Sequence, residues 1–295
     1  MMGANDFILD GMRWSFSSVN SYTQCPQCFR LGYLDALPRV GNAFSDWGSF
    51  MHHLMELYFK GEIEFFEMSQ AYEDGYSGNV THKFPMNRFC DLSERYYLSG
   101  KEYLDSFEGL FDGYSVVAVE QRVLFDINGR PFVGVIDLVV EKDGTYLIID
   151  HKSKSSFKSK REQAEYARQL YLYALHIKME YGKWPESMYF HMIRSGGELI
   201  EVPFKIEELD AAVEWFLSTI DKIYADTQFI SEPNKIRKQI EDVKKQYENK
   251  EIGFQEYQKQ KKSLASALKK MSFFCRELCG VREICPEQDK APREG

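Results

Sequence analysis

The chain has 295 residues, of which 44% are hydrophobic and 15% are aromatic, so disorder is excluded and a globular protein with a sizeable core is predicted. The net charge of −8 argues against a protein that binds polyanions over its whole surface. No stretch approaches the roughly 18 to 20 consecutive apolar residues of a membrane span. The N-terminus lacks the basic and apolar regions of a signal peptide, so the expected location is the cytoplasm, without membrane contact.

Helices are predicted for about the first 110 residues, where apolar residues recur at spacings of three and four. Phe50, Leu54, Leu57 and Tyr58 follow this spacing, and Asp46 is a candidate N-cap of the helix that carries them. The N-terminal region is therefore expected to be mostly helical.

Strands are predicted from residue 114 to residue 152, where β-branched residues are frequent. Two dipeptides interrupt this segment, Asn128-Gly129 (the first turn) and Asp143-Gly144 (the second turn), and both are strong signals for two-residue hairpins. The expected structure is a three-stranded antiparallel meander. A helix at about 161–182, the strands SMYFHMI and ELIEVPF, and a helix at about 206–225 follow.

Residues 234–270 are nearly all helix formers and carry eleven Lys/Arg against five Asp/Glu, a net charge of +6. The rest of the chain therefore sums to −14, so any contact with nucleic acid has to be local. We expect a basic helical hairpin with its turn near the sequence IGF. It would either clamp DNA or dock a partner protein.

Three carboxylates are predicted to line up across the meander, because two-residue turns fix the register of a hairpin. Counting outward from the first turn places Glu120 opposite Asp137, and counting outward from the second turn places Asp137 opposite Asp150. Like charges that face each other destabilise a sheet by some tenths of a kcal/mol, and the effect grows where water is excluded.

A divalent cation such as Mg²⁺ or Mn²⁺ would compensate this repulsion, because it prefers carboxylate oxygens. Lys152 lies two residues beyond Asp150 and therefore points to the same face of the strand. The alternative is that these acids are ordinary exposed residues on the solvated face of the sheet and that Lys152 neutralises them.

The spacing of Asp137 and of Asp150-His151-Lys152 at the end of the next strand resembles the PD-(D/E)XK nuclease superfamily. In that superfamily a metal is held by the two acids and by the backbone carbonyl of the residue between the second acid and the lysine, here His151. The resemblance implies that Lys152 acts on the attacking water, and we favour an orienting role because the neighbouring carboxylates stabilise its charged form. Glu120 is a further candidate ligand, for a second metal or for a water.

Two helical motifs resemble the RecB-like members of this superfamily. Gly48 and His52 in GSFMHH fit the pattern G-x-x-x-H, whose histidine is a metal ligand in that group. Gln169 and Tyr173 in QLYLY fit Q-x-x-x-Y, and their spacing puts both on one helix face. The resemblance implies that His52 binds the metal and that Gln169 and Tyr173 position the scissile strand.

Six cysteines in a reducing compartment are more typical of thiols or metal ligands than of disulfides. SYTQCPQCFR and CRELCGVREICP resemble the cysteine segments of the AddB nuclease domain and of CRISPR-associated RecB-like exonucleases, which hold a [4Fe-4S] cluster. The implied ligands are Cys25, Cys275, Cys279 and Cys285. The chain departs from the pattern in having three residues between Cys275 and Cys279, where two are usual, and in the extra thiol of Cys28. Four thiolates also suit Zn²⁺, so a structural zinc site is the alternative.

The resemblance implies an α/β (α+β) fold with a restriction-endonuclease-like core, in which a central mixed sheet is flanked by helices. We divide the chain accordingly into an N-terminal helical region (1–112), the nuclease core (113–232), the basic helical hairpin (233–271), and a C-terminal cysteine region with a tail (272–295).

The implied function is a metal-dependent DNA nuclease, and we favour an exonuclease that hydrolyses phosphodiester bonds at free DNA ends in recombination, repair or CRISPR adaptation. A bacterial or phage-encoded protein is expected on the same basis. Two alternatives stay open. One is a non-catalytic member of the fold that binds DNA or protein around a structural iron-sulfur or zinc site, and the other is a redox-active iron-sulfur protein.

A basic segment follows the predicted catalytic strand and is a candidate track for DNA phosphates. Its residues are Lys154, Lys158, Lys160, Arg161 and Arg168. The alternative is a solvated loop whose charges contact only water.

Overall fold

A five-stranded mixed sheet flanked by helices is found in the computed structural model, which describes residues 6–287. The predicted tail beyond residue 287 lies outside the described residues. The strands, in sheet order, are β1 (Ser115–Ile127), β2 (Arg130–Lys142), β3 (Thr145–Lys152), β4 (Ser187–Met192) and β5 (Glu198–Pro203). β3 and β4 run parallel and the other neighbours run antiparallel, which confirms the predicted fold class.

The helices also follow the sequence pattern. They are α1 (Asp6–Asp10), α2 (Phe16–Gln24), α3 (Pro26–Phe29), α4 (Ala43–Phe59), α5 (Met68–Asn79), α6 (Leu92–Asp105), α7 (Lys160–Tyr181), α8 (Ile206–Ala225), α9 (Glu232–Glu248) and α10 (Phe254–Phe273). The predicted N-cap was wrong, because α4 begins at Ala43 and Asp46 lies within its first turn. The Asp46 carboxylate instead accepts hydrogen bonds from the backbone N–H groups of Thr81 and His82.

The described chain divides into two compact units. One comprises residues 6–12, 17–42 and 219–287, and the other comprises residues 13–16 and 43–218. The second unit contains the whole sheet together with α4, α5, α6 and α7. Among residues 6–287, no helix combines the length and the hydropathy needed to cross a membrane.

Both hairpin turns have the predicted form. Asn128 and Gly129 have φ values of +50° and +83°, and Asp143 and Gly144 have values of +52° and +77°, as a type I′ turn requires. The strand pairs nearest the turns, Ile127 with Arg130 and Lys142 with Thr145, begin the registers that the sequence predicted.

The register holds as far as the predicted acids. Val119 pairs with Leu138 and Gln121 pairs with Ile136, so Glu120 stands opposite Asp137. Glu120 itself has a φ of +48°, a left-handed conformation that costs of order 1–3 kcal/mol for a residue with a side chain. The ladder between β2 and β3 ends one step before Asp137 and Asp150 would pair. The only shift of register between β1 and β2 in the described chain lies between Val116 and Ala118, beyond the acids.

Helices hold the sheet in the second unit through aromatic contacts. The buried face of α4 packs with α5 and α6 in one apolar cluster that includes Trp47, Met51 and Tyr72. Phe59, the last residue of α4, packs against a smaller apolar cluster of β2 and β3. α7 contacts β2 through Tyr173, whose ring centroid lies 6.3 Å from that of Phe132.

Gly134 in β2 allows α7 to approach the sheet closely. A Cβ atom added there would lie 2.6 Å from Cε1 of Tyr173. Gly134→Ala is therefore expected to lower the free energy of unfolding by about 1–3 kcal/mol, the usual effect of overpacking, as measured by thermal or denaturant unfolding.

A matched control for this substitution is Gly78→Ala. Gly78 lies in α5, and an added Cβ would meet nothing within 4 Å. Replacing a helical glycine by alanine stabilises by about 0.5–1 kcal/mol, so the two substitutions should have opposite signs. An unchanged or raised Tm for Gly134→Ala would contradict the close packing of Tyr173 on β2.

Candidate active site

A histidine of α4 and two acids of β1 and β2 meet at one place. His52 Nδ1 lies 3.6 Å from Asp137 Oδ2 and 3.9 Å from Glu120 Oε1. One nitrogen or oxygen atom from each of these three residues lies within 4.8 Å of the others, a spacing suited to one metal ion. The left-handed backbone of Glu120 accompanies this placement, and such strained residues are common at functional sites.

Asp150 lies next to this group but has a different neighbour. It is buried, and its Oδ2 forms an ion pair with Lys152 Nζ. This contact lacks hydrogen-bond geometry, and Oδ2 accepts no other hydrogen bond among residues 6–287. A buried carboxylate oxygen without a hydrogen bond is destabilising, so the site gains from an added cation.

Electrostatic repulsion and burial shift the protonation of this site. Burial, followed by the charge of Asp150, raises the pKa of Asp137 to about 7, although the positive charges of His52 and Lys152 oppose the shift. Burial lowers the pKa of His52, but the nearby carboxylate of Glu120 and the negative charges of Asp137 and Asp150 outweigh it, and the net pKa is raised. The raised pKa of His52, and part of the rise for Asp137, come from nearby negative charge that a cation would neutralise.

Lys152, Gln169 and Tyr173 form a continuous chain of polar contacts. Lys152 Nζ donates a hydrogen bond to Gln169 Oε1 at 3.2 Å, and Gln169 Nε2 donates to Tyr173 Oη at 2.9 Å. The Tyr173 ring is fixed in turn against Gly134. The structure therefore brings the lysine of the D-x-K segment and both residues of the QLYLY motif to the acids.

A close contact between α4 and the end of β3 explains why the GSFMHH motif begins with a glycine, Gly48. A Cβ at Gly48 would lie 3.0 Å from Ser153 Oγ, so glycine lets α4 approach the end of β3. A cleft of about 490 Å³ opens at this contact, and its lining includes Gly48, Ser153, His52 and Glu120. His53, beside His52, is more than half exposed and contacts Glu56.

His151 has a role that the sequence pattern did not reveal. Its backbone N–H donates a hydrogen bond of 2.7 Å to Asp137 Oδ2. Its ring is buried, and its Nδ1 lies 2.8 Å from Nδ1 of His191, whose Nε2 lies 2.9 Å from Tyr103 Oη. Burial and nearby positive charge lower the pKa of His151, and burial lowers that of His191 to about 3, so both rings are neutral. This buried network fixes the peptide between Asp150 and Lys152.

The donor set fits a divalent metal ion. Carboxylate oxygens are ligands that Mg²⁺ or Mn²⁺ prefers, and Glu120, Asp137 and the Asp150 oxygen without a hydrogen bond supply them beside the imidazole of His52. Glu120, expected as an accessory ligand, belongs to the most compact group, whereas Asp150 lies outside it and contacts Lys152.

The cysteines of the other unit form a second cluster. Burial, followed by the charges of Cys25, Cys285 and Cys28, raises the pKa of Cys275 to about 12. Cys28 Sγ lies 3.2 Å from Cys279 Sγ, and this contact lowers the pKa of Cys28 to about 7. All five residues are free thiols, so soft ligands for a metal are gathered from both ends of the chain.

The five predicted DNA-contact residues lie on α7 and on the segment before it. They are Lys154, Lys158, Lys160, Arg161 and Arg168. Two of them already have acidic partners, since Lys154 pairs with Glu162 at 2.6 Å and Arg161 pairs with Glu165 at 2.9 Å. Arg168 lines a groove of about 460 Å³ formed by α7, β5 and α8. A contact with DNA stays a prediction for all five.

Comparison with known proteins agrees with this geometry. A family profile described as the PD-(D/E)XK nuclease superfamily matches residues 13–286. No curated protein matches the chain significantly. Among solved structures, the chain is similar to a Eubacterium rectale protein described as a candidate exonuclease, with 12% sequence identity, coverage of 75% of this chain and 84% of that chain, and a TM-score of 0.47. Because the profile spans nearly the whole sequence, the chain belongs to the PD-(D/E)XK nuclease superfamily.

Proposed function

We propose that the chain is a metal-dependent deoxyribonuclease that removes nucleotides from DNA ends. The observation that supports this proposal is the meeting of His52, Glu120 and Asp137 beside the buried pair of Asp150 and Lys152. Divalent metals are general to nucleases of this superfamily, and the donor set of this chain fits them. The exonuclease activity and a setting in recombination, repair or CRISPR adaptation rest on the resemblance to RecB-like nucleases.

The test of this activity compares linear DNA with covalently closed circular DNA of the same sequence in Mg²⁺ or Mn²⁺. An exonuclease releases nucleotides from the linear form and leaves the circle intact. Cleavage of the circle would assign an endonuclease. No metal-dependent cleavage of either form would favour the non-catalytic alternative, and strand-specific end labels would give the polarity.

The proposed metal ligands follow from the family motif and from the observed contacts. They are His52, Asp137, Asp150 and the backbone carbonyl of His151, with Glu120 as a further ligand. When bound, Mg²⁺ or Mn²⁺ supplies positive charge that stabilises the negative charge developing on the phosphodiester. The neutral pair of His151 and His191 would keep the intervening peptide in place.

In this proposal Lys152 orients the reacting groups and does not act as a base that removes a proton. Its ammonium contacts Asp150 and donates a hydrogen bond to Gln169 Oε1, and these two contacts direct it into the site. A fixed positive charge there can hold the attacking water or a phosphate oxygen by hydrogen bonds. Gln169 and Tyr173 position Lys152 and, with it, the scissile strand.

A [4Fe-4S] cluster is a second part of the proposal. The ligands would be Cys25, Cys275, Cys279 and Cys285, with Zn²⁺ as the competing occupant. Thiolates bound to a metal lose the electrostatic penalty that burial and mutual repulsion now impose on Cys275. The cluster would act as a structural cross-link between distant parts of the chain, because no electron partner is indicated by the described residues.

The segments of the chain take distinct roles in this proposal. Residues 1–112 supply His52 and Cys25, residues 113–232 form the nuclease core, residues 233–271 form the basic hairpin, and residues 272–295 supply the late cysteines. The hairpin, observed as α9 and α10, would contact DNA or a partner protein. Nuclease activity that survives deletion of the hairpin would favour the protein partner.

Metal binding is expected to strengthen as the pH rises through about 7. Asp137, with its pKa raised to about 7, must lose a proton to bind a metal, and His52 must be neutral. In the metal-free protein, the raised pKa of Asp137 stabilises the folded state fully at a pH below the pKa that Asp137 has in the unfolded chain. This stabilisation is lost as the pH rises to about 7. The increase of Tm on adding Mg²⁺ should therefore be larger at pH 8 than at pH 6. Asp137→Asn should reduce this difference to the part that the titration of His52 causes, and equal increases in the unmodified protein would contradict the assignment.

Lys152→Ala is expected to reduce cleavage of end-labelled DNA by about a hundredfold or more, because it removes the positive charge beside the acids. The Mg²⁺-dependent increase of Tm should persist, since Lys152 is not a ligand. Lys183→Ala is the control, because Lys183 Nζ bonds to the carbonyl of Gly144 at the second turn. Unchanged turnover of the Lys152 variant would overturn its catalytic role.

Cys275→Ala is expected to lower the amount of bound iron and the free energy of unfolding together. The loss of stability should be about 2–5 kcal/mol, the usual effect of removing a disulfide cross-link from a small domain. Iron analysis, visible absorption and thermal unfolding measure this effect. Cys90→Ala, in the other unit, is the control, and Cys28→Ala tests whether the extra thiol replaces Cys25 as a ligand. The cluster would be excluded if the unmodified protein bound no metal and the Cys275→Ala variant remained stable and active.

A further inference from the structure

The segment between α5 and α6 presents large apolar side chains to solvent. We define the 81–90 loop as residues 81–90, which include Met86, fully exposed, and Phe89, 80% exposed. The loop carries Lys83 and Arg88 and no acidic residue, in a chain whose net charge is −8. Exposed apolar side chains beside basic residues on one loop have the composition of a candidate nucleic-acid-binding surface.

The ends of the 81–90 loop are fixed, so its exposed residues are presented in a defined way. Asp46 Oδ2 of α4 accepts hydrogen bonds from the backbone N–H groups of Thr81 and His82, each at 3.0 Å, and contacts His82 Nδ1 at 2.8 Å. Near the tip, the N–H of Phe89 donates to Asn87 Oδ1 at 2.9 Å. After the loop, Asp91 caps α6.

The loop stands beside the candidate active site. The ring of Phe84 packs edge-to-face on Phe44 of α4, with centroids 5.2 Å apart. Phe44 also lines the cleft that contains His52 and Glu120. His52 lies eight residues from Phe44, about 12 Å along the helix axis, so one helix carries both the loop contact and the metal-site histidine.

Phe89 and Arg88 have the chemistry of a stacking surface. The Arg88 guanidinium lies 4.6 Å from the centroid of the Phe89 ring. Aromatic rings and arginine planes stack on unpaired bases, while lysine and arginine bind the neighbouring phosphates. A base within a duplex is not available for such stacking.

We propose that the 81–90 loop stacks on unpaired bases of the DNA end that enters the cleft, through Phe89 and Met86, with Arg88 on a phosphate. This inference rests on the proposed nuclease function and narrows its substrate to ends with single-stranded character. The charge of the loop and its place beside the cleft favour DNA over a protein as the occupant.

The test measures binding without cleavage. The probes are a duplex with a short single-stranded overhang that carries 2-aminopurine near its end, and the blunt duplex of the same sequence. Both are titrated in Ca²⁺. Phe89→Ala should weaken binding of the overhang probe by about tenfold, the effect of losing one base–aromatic stack, and leave the dependence of affinity on salt unchanged. Binding of the blunt duplex should not change.

Arg88→Ala should act differently from Phe89→Ala. It should reduce the slope of log affinity against log salt concentration by about one for both probes, as loss of one phosphate contact does. Phe66→Ala is the matched control, because Phe66 lies in the same unit, is 69% exposed and contacts Phe65. Its affinity for both probes should equal that of the unmodified protein.

Three results would overturn the proposal: equal effects of Phe89→Ala and Phe66→Ala, equal loss of affinity for overhang and blunt probes, or no binding of the overhang probe by the unmodified protein. Its failure is distinguishable from failure of the nuclease function. A protein that binds overhang DNA through Phe89 but never cleaves would refute only the nuclease function. If the unmodified protein cleaves DNA and the Phe89→Ala variant keeps full affinity for the overhang probe, only the role of the loop is refuted.

Discussion

The repulsion between Asp137 and Asp150 is the interaction on which the site depends. Both carboxylates lie at the end of the ladder between β2 and β3, and burial together with this repulsion raises the pKa of Asp137 to about 7. His52 of α4 and Lys152 of β3 lie beside these acids, and their positive charges oppose the rise in the pKa of Asp137. Even so, Asp150 Oδ2 accepts no hydrogen bond among residues 6–287, and a further positive charge would compensate its burial.

The alignment of the acids was predictable because it depends on local rules. A type I′ turn needs two residues in the left-handed region, and Asn-Gly and Asp-Gly are the pairs that adopt it most readily. Once the turns are set, each strand has one register, and the shift near Val116 lies too far out to disturb Glu120. The basic hairpin followed from helix-forming residues and charge, whereas the mixed sheet was implied by the resemblance to the PD-(D/E)XK superfamily.

Contacts between distant segments were not predictable in this way. His191 reaches His151 because β4 returns parallel to β3 after the long helix α7, and no local pattern shows which histidines such a crossover brings together. Asp46 has the residue type of a helix cap, yet it lies within the first turn of α4 and accepts hydrogen bonds from the backbone of Thr81 and His82. Tertiary hydrogen bonds of this kind override local propensity, since a carboxylate serves equally well as a cap or as an anchor for a loop.

α4 carries both His52, a candidate metal ligand, and Asp46, which anchors the 81–90 loop. Its apolar face, with Trp47, Met51 and Met55, is buried against α5 and α6, which fixes the helix in position. Its other face lines the cleft with Gly48 and His52 among its residues. The sequence predicts both faces from their spacing, but a polar face alone does not say whether it meets water or a substrate. The close approach of Gly48 to Ser153 shows that this part of the face packs against the end of β3, a tertiary contact that helical spacing does not reveal.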